Sequence, residues 1–465
     1  MTAQRGLLAV IAVGGVPAEP TLFVSVKMGV VPSIVASDCA VARRGSVLMR
    51  YVKSSRVSSL HSGHGHSLGA AARILTQLCC LHLLFVVLLA SAGAVDQDQW
   101  EGPHLPRPTG KYPIGTQVLL LSDGSRPNPI AAMGPREIQV QIWYPAAQIG
   151  GARQPYAPKS LVDLFEKQEY MDIPREQLER WRPLQTSAST AVPPNAGRFP
   201  LLIFGHGAGL SRVSYSAFAQ ELASLGYIIV AIDFPEGGLG VYPNGRVTTF
   251  EPAANDEELD RRVNAFVRDA SFVLDSLLIA KGPLARFGPR ISKGTVAIGG
   301  HSLGGMVALS APLFDRRFKA SIDLDGSPVG RVVQDGLARP TLIVLNEPDA
   351  AHRPPEKIGL ERDREFTDVI NKRGTVADLV VVSGTTHLSF TDLPFLVPPS
   401  MFAKHGATTS PEDVVQITTR LVDRFLRVYL IGEPESVLES IERTYSSSIK
   451  VRHFPTSTDV GPNKK

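Results

Sequence analysis

The residues with the clearest chemical potential are Gly300, His301, Ser302, Leu303 and Gly304, which form a G-x-S-x-G motif. A serine hydroxyl is a weak nucleophile until a neighbouring base removes its proton. Glycine is the residue type required where a backbone bends sharply and leaves no room for a Cβ. The motif therefore predicts that Ser302 is the nucleophile of an acyl-transfer reaction, with a Gly-rich turn devoid of chemistry as the alternative.

The surroundings of the motif favour the chemical interpretation. The apolar run 295–299 precedes it directly, and residues 303–312 have a helical pattern. This strand–turn–helix order is that of the nucleophile elbow in the α/β-hydrolase fold. The start of a helix also presents free N–H groups and a positive dipole end beside the serine. We therefore expect the backbone N–H of Leu303 to be one donor of an oxyanion hole.

A second oxyanion donor is expected from the loop that follows an earlier strand of this fold. His206, Gly207, Ala208 and Gly209 follow the apolar run 200–205, which points to the backbone N–H of Ala208. The side chain of His206 is interpreted as structural, holding this loop. The imidazole of His301 is likewise expected to pack behind the elbow rather than to act in catalysis.

The base should follow the nucleophile along the chain, since the triad order in this fold is Ser, acid, His. His387 comes after the strongly apolar run 378–383 and a short Ser-Gly-Thr-Thr turn, where a base must lie to reach Ser302. The alternatives fit less well. His352 and His405 read as exposed loop residues, and His453 reads as a tail residue.

Spacing alone leaves two candidates for the acid. Asp325 stands just past the predicted strand 320–324, and Asp349 follows the next strand, 341–346. Asp323 lies two residues before Asp325 and therefore points to the same face of the strand, but it is expected to lie too deep in the sheet.

The remaining sequence supplies the frame for these residues. Short, continuously apolar runs, typical of strands buried on both faces of a parallel sheet, alternate with helical stripes. The predicted strands are 138–144, 200–205, 227–233, 295–299, 320–324, 341–346 and 378–383. The predicted helices are 214–225, 256–280, 303–312 and 411–430. This alternation predicts an α/β protein of α/β-hydrolase fold, with a mostly parallel central sheet and helices on both faces.

The domain organisation is predicted from changes in composition. Residues 1–72 read as an irregular N-terminal extension, 105–443 as the catalytic domain, and 444–465 as a polar, frayed tail. Residues 147–198 read as an excursion between the first strands. Residues 73–94 combine a basic residue, an apolar run and small residues, an order typical of a secretory signal peptide. Cleavage and secretion are favoured over a retained signal anchor in a membrane.

Charge and cysteine usage narrow the possible partners. Residues 1–94 carry eight Lys and Arg against two acidic residues, so the rest of the chain has a net charge of −2 although the whole chain has +4. The absence of a basic surplus in residues 95–465 argues against nucleic acid as a partner. All three cysteines precede residue 95, which excludes a thiolate metal site or a cysteine nucleophile in the body. Neither a metal nor a cofactor is expected.

Several segments together resemble the plasma/type II platelet-activating-factor acetylhydrolases. They are the first-strand segment 111–146, the oxyanion segment 200–233, the elbow 296–305, the acid segment 321–328 and the histidine segment 384–394. The resemblance implies that Asp325 is the acid, completing a Ser302–Asp325–His387 triad. It also implies a calcium-independent esterase that removes short or oxidised sn-2 acyl groups from phospholipids, so the expected partner is a small lipid ester substrate.

Two other functions remain open. One is a general carboxylesterase or a polyester/dienelactone-type hydrolase that uses the same triad. The other is a catalytically silent binding protein of this fold, against which the intact triad argues.

The segment after His387 is rich in apolar residues and could form a lipid-facing lip of the site. Packing in the core is the favoured interpretation. The residues concerned are Phe390, Leu393, Phe395, Leu396, Val397, Met401 and Phe402.

Overall fold

The structure, a computed structural model, describes residues 100–128, 134–347, 355–403 and 406–455. The predicted extension 1–72 and signal segment 73–94 lie outside these residues, as do Asp349, His352 and His405. None of the helices within the described ranges is long and apolar enough to cross a bilayer.

Most strands of the described residues form one 11-stranded sheet, in the order β13-β12-β11-β10-β9-β5-β6-β2-β1-β4-β3. A separate two-stranded sheet pairs β7 with β8. The strands are β1 (Ile114–Pro127), β2 (Pro135–Pro145), β3 (Arg153–Pro155), β4 (Gln185–Thr190), β5 (Phe199–Gly205), β6 (Ile228–Asp233), β7 (Gly240–Val241), β8 (Val247–Thr248), β9 (Ile291–His301), β10 (Ala320–Leu324), β11 (Thr341–Asn346), β12 (Ala377–Val382) and β13 (Ile449–Phe454). The six adjacent strands β12, β11, β10, β9, β5 and β6 all run parallel, as predicted for an α/β-hydrolase fold.

Helices cover both faces of this sheet. They are α1 (Lys159–Lys167), α2 (Arg175–Trp181), α3 (Ser216–Leu225), α4 (Asp256–Ile279), α5 (Leu303–Phe314), α6 (Arg331–Asp335), α7 (Pro355–Asn371), α8 (Leu393–Leu396), α9 (Pro399–Ala403), α10 (Pro411–Leu426) and α11 (Ser436–Thr444). Successive strand residues point to opposite faces. Leu202 and Phe204 accordingly pack with α3 and α10, whereas Leu201 and Ile203 pack with α4 and α5.

Two long amphipathic helices of this cover, α4 and α10, begin at side-chain caps. Asn255 accepts a hydrogen bond from the backbone N–H of Glu258 at the start of α4. Ser410 accepts one from the N–H of Asp413 at the start of α10, where Pro411 occupies the first helical position. Each cap satisfies an amide that the helix itself cannot bond, so both predicted helices start where the sequence indicates.

The excursion 147–198 folds into β3, α1, α2 and β4. Its aromatic side chains are buried in the main core with the residues that follow His387. Trp181 donates its indole N–H to the carbonyl of Leu396 at 2.9 Å, and Phe165 stacks on Tyr170 with ring centroids 4.4 Å apart. The excursion therefore covers the segment after His387 and fixes it against the body of the protein.

The tail differs from expectation. Residues 444–465 were expected to fray, yet Ile449–Phe454 forms β13, which pairs antiparallel with β12 at the edge of the main sheet. Ile449 is buried and Val451 packs against the core, which a polar average over the tail conceals. His453 bonds Asp378 of β12 at 2.5 Å and also contacts Glu442 of α11.

We predict that the edge-strand contact of His453 depends on pH. The hydrogen bond with Asp378, together with the charge of Glu442, raises the pKa of His453 to about 9 from 6.5. A raised pKa in the folded state means that the stabilisation is fully present below pH 6.5 and is lost as pH rises through about 9. Because the His453 side chain is half exposed, His453→Gln should lower the melting temperature at pH 6 by at most ~2 °C. At pH 10 it should not change the melting temperature.

A matched control is Arg452→Gln on the same strand, which removes the guanidinium that pairs with Asp363. Its effect should be constant from pH 6 to pH 10. A constant effect of His453→Gln over that range would contradict the assignment.

Candidate active site

Ser302 occupies a sharp turn between β9 and α5, with φ 54° and ψ −116°. Its N–H donates to the carbonyl of Leu324 at 2.9 Å, and its carbonyl accepts from the N–H of Met306 at 3.0 Å. A positive φ is costly for a residue with a side chain and persists only where neighbours enforce it. The turn is thus held on one side by the next strand and on the other by the helix, and it leaves the serine side chain half-buried.

Close backbone contacts explain why positions 300 and 304 of the motif are glycine. A Cβ on Gly300 would lie 2.2 Å from the backbone carbon of Gly304, and a Cβ on Gly304 would lie 2.1 Å from the carbonyl oxygen of Gly205. Neither position can hold a larger residue unless the backbone moves. The predicted elbow is therefore present.

The loop after β5 reaches the same point. A Cβ on Gly207 would lie 3.2 Å from the Cβ of Ser302. Within the described part of the chain, the N–H groups of Ala208 and Leu303 have no hydrogen-bond acceptor, although their neighbours are bonded. The bonded neighbours are Gly207, Gly209, Ser302 and Gly304. Two unengaged amides from two segments beside one serine are the arrangement that an oxyanion hole requires.

His387 and Asp325 are brought together. His387 Nδ1 lies 2.5 Å from Asp325 Oδ2, and the imidazole ring is centred 4.5 Å from the ring of His301, the residue before Ser302. The Asp325 side chain is 2% exposed and that of His387 is 47% exposed. A buried carboxylate thus orients an accessible imidazole beside the elbow.

Two further donors hold the other oxygen of Asp325. The N–H of Asn346 donates to Oδ1 at 2.9 Å, and Arg362 Nη2 donates to it at 2.6 Å. Burial alone would raise the pKa of this carboxyl. The Arg362 charge and the hydrogen bond with His387 outweigh it, so the pKa of Asp325 lies well below its usual range and the group is ionised.

Asp323 behaves in the opposite way. It is fully buried, accepts one hydrogen bond from the N–H of Gly326 at 2.9 Å, and its Oδ2 has no partner among the described residues. Burial raises its pKa to about 8, so it is protonated at neutral pH. As expected, it lies too deep in the sheet to contact His387.

His206 and His301 are both buried and hydrogen-bonded. His206 Nδ1 donates to the carbonyl of Gly207 at 2.7 Å, and its Nε2 accepts from the N–H of Phe234 at 3.0 Å. Burial lowers the pKa of His206, and burial lowers that of His301 to about 3, so both rings are neutral. These contacts fit the structural function expected for both.

His301 is part of a chain of hydrogen bonds between three segments. Its Nε2 lies 2.9 Å from the carbonyl of His387. A carbonyl only accepts, so Nε2 carries the proton, and Nδ1 accepts from the hydroxyl of Tyr215 at 2.8 Å. That hydroxyl in turn accepts the N–H of Gly207 at 2.9 Å. One neutral imidazole and one phenol therefore connect the loop after β5, the elbow and the segment that carries His387.

The apolar segment after His387 lies in the interior. Phe390, Leu393, Phe395, Leu396 and Val397 are each at most 7% exposed, and Met401 and Phe402 pack partly buried against the same core. The favoured interpretation as core packing is confirmed, and the buried five do not form a lip facing lipid.

Sequence reasoning missed two residues of this arrangement. Tyr215 lies eight residues past Gly207, and Arg362 lies 37 residues past Asp325. Neither stands in a motif. No group of His, Cys, Asp or Glu able to hold a metal ion occurs among the described residues.

The sheet order and the turn at Ser302 define a protein of the α/β-hydrolase fold. The family model for platelet-activating factor acetylhydrolase, isoform II, matches residues 103–236 and 273–435, together more than half of the chain. The chain belongs to this family. The matched ranges include Ala208, Ser302 and Leu303, and also Asp325 and His387.

Individual relatives agree with this assignment. The chain is 27% identical over 248 residues to a probable 1-alkyl-2-acetylglycerophosphocholine esterase of Arthroderma benhamiae, covering 50% of this chain and 61% of the relative. It is 27% identical over 224 residues to the platelet-activating factor acetylhydrolase of Cavia porcellus, covering 43% and 49%. The chain thus spans between half and about three fifths of the length of these relatives.

A solved structure shares the fold. The ferulic acid esterase from Streptomyces cinnamoneus superposes with a TM-score of 0.59 at 26% sequence identity. The match covers 73% of this chain and 96% of the esterase. An esterase therefore shares most of the described architecture.

We predict that Tyr215→Phe destabilises the fold. The substitution removes the acceptor of the Gly207 N–H and the donor to His301 inside a buried site, and a buried polar group without a partner costs about 1–3 kcal/mol. The free energy of unfolding measured in urea should fall by about that amount.

Tyr112→Phe is the matched control, because the hydroxyl of Tyr112 has no hydrogen bond among the described residues. It should change the free energy of unfolding by less than ~0.5 kcal/mol. Equal effects of the two substitutions would show that the Tyr215 hydroxyl does not hold these segments.

Proposed function

We propose that the chain is a serine esterase whose nucleophile is Ser302, with His387 as its base and Asp325 as the acid that orients the base. The observation that carries this proposal is the 2.5 Å contact between Asp325 and His387 beside the elbow. The ionised state of Asp325 supports it, because a carboxylate oxygen only accepts hydrogen bonds, which holds the proton on His387 Nδ1 and leaves Nε2 free to accept a proton.

The proposed reaction has two halves. His387 takes the hydroxyl proton as Ser302 attacks the ester carbonyl, and the oxyanion is held by the N–H groups of Ala208 and Leu303. His387 then gives its proton to the leaving alcohol, which leaves an acyl-enzyme on Ser302. Water, deprotonated by the same imidazole, releases the acid and restores the serine.

The proposed substrate is a phospholipid with a short or oxidised sn-2 acyl group. The names of the relatives support this class, since two of them act on 1-alkyl-2-acetylglycerophosphocholine or platelet-activating factor. A second candidate is a general carboxylesterase acting on soluble esters or polyesters. The likeness to a ferulic acid esterase favours it.

The proposal extends to domain organisation and location. We infer that 105–443 is the catalytic domain, with its sheet extended by β13, and that 73–94 directs secretion. The apolar run and small residues of that segment support the inference.

A substrate panel tests the proposed function. We expect 1-alkyl-2-acetylglycerophosphocholine to be hydrolysed with a higher kcat/KM than its long-chain sn-2 analogues, methyl ferulate or a polyester film. Hydrolysis of ferulate or polyester without phospholipid hydrolysis would assign the carboxylesterase function instead.

Ser302→Ala is the matched control for that panel. It should hydrolyse none of the substrates and should not react with a fluorophosphonate probe, whereas the wild type is labelled at Ser302. A wild-type chain that hydrolyses no ester and takes up no probe would be a silent member of the fold.

The same assay distinguishes the two candidate acids. Asp325→Asn should lower kcat by ~10⁴-fold, because an amide no longer selects the productive imidazole tautomer. Asp349→Asn should change kcat little. The reverse order of the two effects would transfer the acid function to Asp349.

A further inference from the structure

We propose that Arg362 is a positioning residue that limits how strongly Asp325 stabilises a proton on His387, and that it thereby sets the lowest pH at which the enzyme works. This inference rests on the proposed function. Arg362 is not placed to touch substrate, since its guanidinium is bonded behind the acid, on the oxygen that His387 does not use.

The geometry places one carboxylate between two partners. Arg362 Nη2 lies 2.6 Å from Asp325 Oδ1, and His387 Nδ1 lies 2.5 Å from Asp325 Oδ2. The other arm of the guanidinium, Nη1, donates to Asn346 Oδ1 at 2.8 Å, and the backbone N–H of Asn346 donates to Asp325 Oδ1. The fork is thus fixed at both arms, and the Arg362 side chain is only 21% exposed.

The two partners of Asp325 share one negative charge. When His387 gains a proton, the carboxylate attracts the imidazolium, and the guanidinium on the opposite oxygen repels it. Without Arg362 the carboxylate charge would act on His387 alone, so the ring would keep its proton to higher pH. A protonated ring cannot take the proton of Ser302, so activity at acidic pH would fall.

Among the side chains that the structure describes near this pair, none supplies a comparable cation. Asp323 on β10 is protonated at neutral pH and below, and His301 at the elbow is neutral. Glu347 at the end of β11 is paired with Lys450, and Glu365 lies one turn along α7 and carries a negative charge when ionised. Asp325 itself is ionised across the acid range, so the charge of Arg362 is the variable that a substitution can remove.

The test is the pH dependence of kcat/KM for nitrophenyl acetate in the wild type, Arg362→Gln and Arg362→Lys. In Arg362→Gln we expect the acid limb to move to higher pH by about one unit, the size of effect that a single charge has at this range. Arg362→Lys keeps the charge and should restore most of the wild-type limb. A purely structural function would lower kcat in both variants and leave the limb in place.

NMR titration of the His387 imidazole provides a readout independent of turnover. Its midpoint should move to higher pH in Arg362→Gln by the same amount as the acid limb. An unchanged midpoint and an unchanged limb overturn the inference. If the wild type hydrolyses no ester, the proposed function fails, and the NMR titration still decides this inference.

Two variants guard against trivial outcomes. Arg427→Gln removes a similarly half-buried guanidinium, which is paired with Asp423 at the end of α10, and it should leave the acid limb unchanged. Asn346→Ala removes one anchor of the Arg362 fork and should move the limb in the same direction by a smaller step. If Arg362→Gln does not fold, the pH profiles of Asn346→Ala and Arg362→Lys test the inference. It is overturned if the acid limb of Asn346→Ala stays in place, or if the acid limbs of the two variants move by the same amount.

Discussion

The bend at Ser302 is the constraint on which the rest of the site depends. A non-glycine residue with φ near 54° is held only because β10 accepts its N–H and α5 bonds its carbonyl. The bend requires that Gly304 pass within contact of Gly205, so the elbow and the loop after β5 cannot be placed independently. The same steric condition that requires glycine at Gly300 and Gly304 also brings the elbow into contact with the loop after β5, where the N–H of Gly304 donates to the carbonyl of His206.

His387 is attached to this bend through a second, neutral histidine, His301. His301 can connect Tyr215 to the carbonyl of His387 because its ring donates at one nitrogen and accepts at the other. Protonation would make both nitrogens donors and break the bond from Tyr215. Burial lowers the pKa of His301 to about 3, so the connection survives over the pH range of an ordinary esterase. His301, the residue before Ser302, thus positions the neighbouring segments, and its burial keeps these hydrogen bonds independent of pH over this range.

The sequence predicted the parts of the fold whose environment is uniform. Strands buried on both faces have continuous apolar runs, and the bounds of β10 and β11 agree with prediction to the residue. The edge strand β13 was missed because only Ile449 is buried there, with Val451 and Phe454 partly buried, in a segment whose average is polar. Arg362 was missed because α7 carries two arginines, Arg362 and Arg364, and only the position of that helix in the fold shows which one meets Asp325. Ser302, Asp325 and His387 could be proposed as site residues from the sequence because strand ends mark positions where a parallel sheet brings side chains together.

Two buried carboxyls at the end of β10, Asp323 within the strand and Asp325 just past it, have opposite protonation states. Asp323 has one backbone donor and no charged partner, so burial decides and the group is neutral. Asp325 has a guanidinium, an amide and an imidazole, which together exceed the same penalty. A buried ion pair is weak evidence for stability, since desolvation consumes most of its attraction. Arg362 is therefore better understood as one of three donors, with the Asn346 N–H and His387 Nδ1, that keep Asp325 charged while Asp323 is neutral.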